Sequence, residues 1–127
     1  MPPNTDATTT AALSAALSAG SARHAAIAAN IANASVEGYA PMRLAFGATL
    51  ADAQATLREG GTLQPAHLPA LKGELQPAMD EAGFPETVRL DEEAAGLARN
   101  AVHFQALSQA LSRHLGLLAL AVSEGRK

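Results

Sequence analysis

The chain has no cysteine and no tryptophan, and one tyrosine with three phenylalanines brings its aromatic content to only 3%. Without cysteine there are no disulfides and no thiolate chemistry, and the redox compartment is left open. The shortage of aromatics bears on the core. Hydrophobic residues make up 48% of the 127, but much of that is alanine, which buries little area. A chain of this length has room for one modest domain, and its core would be thin. Lysine and arginine form no block and the net charge is −3, so the electrostatic footprint of a nucleic-acid binder is missing. No apolar run approaches the ~20 residues that cross a bilayer. Met1-Pro2-Pro3-Asn4-Thr5-Asp6 lacks the basic and apolar regions of a secretory signal. The sequence therefore reads as soluble, and work outside the cytoplasm would require export without a cleaved signal.

What the chain does have is helix-forming sequence at both ends. Residues 1–10 are polar and threonine-rich and are expected to be disordered until bound. From Ala11 to about Ala34, Leu13, Leu17, Gly20, His24, Ile27 and Ile31 recur at spacings of four and three, the stripe of a coiled-coil-like seam. Gly20 and His24 thin that stripe, so the helix needs a partner. Ser35 to Pro41 reads as a turn in which Gly38 supplies a positive φ and Pro41 stops the helix. A short helix is expected from about Phe46 to Arg58. Residues 59–86 carry Gly60, Gly61, Gly73, Gly83, Pro65, Pro69, Pro77 and Pro85 with poor strand alternation, and read as a flexible linker.

The last third carries the clearest pattern. Leu90, Ala94, Leu97, Ala101, Phe104, Ser108, Leu111, Leu115, Leu118 and Val122 alternate by four and three without a break. Asp91, Glu92 and Glu93 sit where carboxylates suit a helix start, and Gly125, Arg126 and Lys127 suit its end. At ~1.5 Å per residue such a helix is about 50 Å long. The expected fold is all-α, with long N- and C-terminal helices packing as a hairpin or coiled coil around a disordered Pro/Gly-rich middle. Segments 11–58 and 87–124 would form one core domain, flanked by the 1–10 leader and joined by the 59–86 linker.

Nothing assembles an active site. His24, His67, His103 and His114 include no pair at i, i+3 or i, i+4, and His103 and His114 lie ~16 Å apart along a helix, too far to share an ion. The acidic run at 91–93 lacks the alternating ligands of a calcium loop. No Gly-x-Ser-x-Gly elbow is present, Gly60-Gly61 has no P-loop lysine, and the sequon at Asn33-Ala34-Ser35 is a short motif common by chance. Neither a catalytic residue, a cofactor nor a metal is expected. Asn30 and Asn33 lie on one helical face in apolar sequence, which admits two readings. Asn33 could help end the helix with Asn30 solvated, or both amides could bond to a neighbouring helix or subunit and fix register.

The run Ala29 to Tyr39 resembles the N-terminal signature of the flagellar rod, hook and hook-associated protein family, an Asn-Ile-Ala-Asn core followed by Thr-Pro-Gly-Tyr. Asn30, Ile31, Asn33, Gly38 and Tyr39 stand in register with it, while Val36-Glu37 replaces Thr-Pro. Val88 to Leu107, with Leu111-Ser112-Arg113 after it, is similar to the C-terminal helix of FlgB-type rod proteins, and the short middle favours that branch of the family. The resemblance selects the register-fixing reading of the asparagines. It implies a structural subunit of the proximal rod that is exported by the flagellar type III apparatus and assembles helically in the periplasmic part of the basal body. The implied partners are other proximal-rod proteins, FliE, the MS ring and components of the export gate. Phe46 and Leu50, four apart, read first as a packed pair on a short helix. They also resemble the segment of rod and hook substrates recognised by the export gate. The reading from a different class is a cytoplasmic helical adaptor or export chaperone that binds a partner helix.

Overall fold

The computed structural model describes residues 3–126. Its elements in chain order are α1 (Pro3–Ala32), β1 (Met42–Ala45), α2 (Ala48–Arg58), a 3-10 helix (Pro65–Leu71), β2 (Glu74–Pro77) and α3 (Leu90–Glu124). Alanine-rich sequence with no internal proline lets α1 run for 30 residues and α3 for 35. The two pack antiparallel: Asn30 meets Glu93, Gly20 meets Asn100, and Asp6 lies beside His114.

The small residues of α1 form its packed surface. Thr8, Ala15, Ala19, Gly20, Ala26, Ile27 and Asn30 are buried, so the backbones approach closely where the side chains are shortest. Gly20 shows this directly, since a Cβ there would stand 3.0 Å from the Phe104 ring. On its other side α1 meets the middle of the chain. Leu13 shares an apolar groove of about 450 Å³ with Leu57, Leu63 and Leu71.

Three expectations change. The stretch expected to be a disordered leader is helical from Pro3 onward, and Met1 and Pro2 lie outside the described residues. Its helix persists because Thr8, seven residues before Ala15, falls on the packed face. The middle segment is folded rather than disordered, and its breakers act as corners. Gly60 and Gly73 take positive φ, Pro65 begins the 3-10 helix, and Pro77 ends β2, where a missing N–H does least harm. Gly73 leaves no alternative, because a Cβ would fall 2.9 Å from Phe46 and 3.0 Å from the Ala45 carbonyl. The all-α class is corrected too: β1 and β2 form a two-stranded antiparallel sheet, Met42 opposite Pro77 through Ala45 opposite Glu74.

The sheet extends into a second, smaller turn. The Ala78 amide donates to the Pro41 carbonyl, and Met79 and Pro85 bridge across a loop at 80–84. Asp80 Oδ1 closes that loop by accepting from the amides of Ala82 and Phe84, each at 2.9 Å. This hairpin emerges at the end of the helix pair where Asn30 and Glu93 meet. The short helix expected from Phe46 starts two residues later, at Ala48, because Phe46 and Gly47 form the link from the strand that ends at Ala45.

Candidate functional site

The densest cluster of interactions joins three elements around one side chain. Asn30, in the last turn of α1, is fully buried, and its amide uses its whole hydrogen-bonding capacity. Nδ2 donates to the Met42 carbonyl at 3.1 Å and to Glu93 Oε2 at 3.1 Å. Oδ1 accepts from the Met42 amide at 2.8 Å and from the Tyr39 hydroxyl at 3.0 Å. One side chain therefore ties the end of α1 to the turn, to the first residue of β1 and to α3.

Glu93 completes the arrangement from the other side. It is 2% exposed, and its second oxygen pairs with Arg43 Nη1 at 2.6 Å. A carboxylate this deep is tolerable because both oxygens are partnered, one by a cation and one by an amide. Arg43 keeps its outer face in water, which tempers the pair's strength. Glu93 looked like a helix-start charge alongside Asp91 and Glu92, and its inward direction was missed. The signal was its position, one turn before Leu97 on the packed side.

The turn that delivers Tyr39 and Met42 is built by its own residues. Asn33 does not reach a neighbour: its Nδ2 donates to the Ala29 carbonyl at 2.7 Å, helping α1 to stop. Of the two asparagine readings, the end-of-helix one describes Asn33, and bonding across to a neighbouring helix describes Asn30. Gly38 takes φ +77°, a conformation costly for any other residue, and swings Tyr39 back towards Asn30. Pro41 is buried beneath the turn, whereas Ile31 and Val36 face solvent.

A second polar pin lies ten residues down the pair. Asn100 is buried, donates to the Gly20 carbonyl at 2.9 Å and accepts from Arg23 at 3.4 Å. Arg23 also sits 6.0 Å from the centre of the Phe46 ring, so it joins α1, α3 and the end of β1. Phe46 is half-buried there and also borders Gly73, ahead of α2. Leu50, inside α2, is half-buried, so the two residues do not occupy a single helix.

These pins rotate α3 relative to the stripe read from its sequence. Leu97, Phe104, Leu111 and Leu118 lie on the side facing α1, joined by Glu93, Asn100, Leu107 and His114. Ala101, Leu115 and Val122 turn outward, and Leu90, Leu115 and Val122 are 54%, 47% and 61% exposed. The apolar stripe is therefore wider than α1 can cover. Among the described residues no group of three or more potential metal ligands comes together, and no helix is long and apolar enough to cross a membrane.

Residues 11–39, which hold the face of α1 that meets α3 and the turn with its Asn30 and Tyr39, match the family model described as Flagella basal body rod protein. Over this segment the chain is similar to flagellar basal body rod proteins. The match ends at Tyr39, the hydroxyl that closes on Asn30. The remainder of the cluster, from Met42 to Glu93, lies outside the matched segment and is known from its geometry. No curated protein and no solved structure gives a significant match to the chain.

Proposed function

We propose that this chain is a structural subunit of the proximal rod of the bacterial flagellum, of FlgB type, with no catalysis of its own. The observation that carries the reading is the rod-family match over residues 11–39, whose signature asparagine holds the helix pair in register. The outward stripe of α3 supports it. Leu115, Leu117, Leu120 and Val122 are all about half exposed or more, and together they offer an apolar surface for neighbouring rod subunits. In this reading the chain passes through the flagellar type III export apparatus and assembles helically in the periplasmic basal body. There it stands beside other proximal-rod proteins and FliE, near the MS ring and the export gate. Phe46 and Leu50 serve as the export-gate segment before Phe46 is taken up into the fold.

Fractionation of purified basal bodies, probed for this chain, tests the proposal. The chain should co-purify with the rod, and its deletion should leave cells without hooks or filaments. A chain confined to the cytoplasm in a small defined oligomer would replace the rod reading with that of an adaptor or export chaperone. For the export segment, Phe46→Ala should reduce secretion; normal secretion of a variant with weakened folding would assign Phe46 to packing alone.

A further inference from the structure

Charge is divided unevenly along the second half of the chain. Between residues 74 and 93 stand Glu74, Asp80, Glu81, Glu86, Asp91, Glu92 and Glu93, with Arg89 as the one cation. From 94 to 123 there is no acidic residue, while Arg99, His103, Arg113 and His114 are present. The hairpin end of the molecule is acidic, and the shaft of α3 is basic.

Both regions also carry exposed apolar side chains. On the hairpin, Phe84 is 67% and Met79 48% exposed, next to Glu81 and Glu86, which are exposed as well. Asp80 is occupied in closing the loop, so Glu81 and Glu86 are the carboxylates free to meet a partner. Along α3, Arg99, Val102, Ala106, Arg113, Leu117 and Leu120 recur at helical spacing on a solvent-facing strip beside the face that meets α1. Val102 and Leu117 are 70% and 66% exposed, and neither Arg99 nor Arg113 has an ion-pair partner among the described residues.

We infer that the acidic hairpin of one copy docks on this basic strip of α3 in the next copy. Glu81 and Glu86 face Arg99 and Arg113, and Phe84 lies between them against Val102 and Ala106, one helical turn apart. The hairpin leaves the helix pair at one end and the strip runs along its side, so the contact joins two different patches of the surface. The contact is head-to-tail, the type that propagates into open assemblies instead of stopping at a dimer. Its apolar part supplies burial, and its charges select the orientation and speed the encounter. The inference deepens the rod reading by naming the surfaces through which two copies meet.

Sedimentation of the full chain at fixed concentration in 50 mM and 500 mM salt tests the inference, alongside charge-reversed variants. Self-association should weaken about tenfold or more at the higher salt, since exposed charges are screened there. Glu81→Lys with Glu86→Lys should weaken it about tenfold in low salt, as should Arg99→Glu with Arg113→Glu. Mixing the two variants should restore association, because each then presents the charge the other needs. Circular dichroism on each variant checks that the helices persist. Variants that associate like the parent, or a mixture that fails to recover, overturn the contact. A rescued mixture from a chain never found in basal bodies would instead leave the contact standing and remove the rod assignment.

Discussion

The two ends of the α1–α3 pair are made from different materials. At one end Asn30, Tyr39, Met42, Arg43 and Glu93 satisfy one another through directional bonds, and no buried side-chain nitrogen or oxygen among the described residues lacks a partner. Beyond His114, α3 carries leucines and a valine that α1 does not cover. The first end is complete within a single molecule, while the second is sticky and non-directional. Polar bonds specify one register at little net gain, whereas apolar area gives adhesion without specifying an orientation. A chain that must hold its own shape and still join others can separate those tasks along one helix.

The largest expected effect breaks the complete end. Asn30→Ala strands the Tyr39 hydroxyl, both polar groups of Met42 and one oxygen of Glu93. At ~1–3 kcal/mol for each buried group left unsatisfied, the loss should reach about 3 kcal/mol or more in denaturant unfolding. Gly20→Val comes next. Its side chain would enter space held by Phe104 and Asn100, at a cost of about 1–3 kcal/mol, visible as a lower melting temperature. Tyr39→Phe removes a single bond to Asn30 and should cost about 1 kcal/mol. Smallest in stability is Leu115→Gln with Val122→Gln, expected to stay within about 0.5 kcal/mol per site because both are exposed. That last pair sharpens the contrast: self-association by light scattering should fall while the melting curve stays in place. A melting curve that drops as far as for Asn30→Ala would show that both ends belong to the folded monomer's core.

The sequence made the long helices legible because their signal is spread over many turns, and Leu97, Phe104, Leu111 and Leu118 repeat often enough to fix one side of the seam. The other side was misplaced by one residue per heptad. Hydrophobic periodicity chose Ala101 and Leu115, where the fold uses Asn100 and His114. Periodicity has no means of seeing that a buried asparagine is favourable once a glycine carbonyl from eighty residues earlier is aimed at it. The sheet was hidden for a related reason. Its strands are four residues each, too short to alternate visibly, and they are held in place by Asn30 and by turns at Gly38 and Gly73. Asn30 and Tyr39 were identified as signature residues by resemblance. Arg23 and Arg43 were not singled out and Glu93 was read only as a helix-start charge, since a charged residue in a single sequence does not reveal whether it faces inward.

Asn30 and Glu93 are 63 positions apart, so the knot between them cannot be tied by local sequence. Delivery of the polypeptide amino end first, from a ribosome or through a narrow conduit, leaves Asn30 waiting until nearly three-quarters of the chain has emerged. Until then the turn has its tyrosine but lacks the carboxylate that locks α3 beside it. The Asn30–Glu93 bond is thus the first of the pins to report the arrival of the carboxyl-terminal helix, ahead of those at Asn100 and His114.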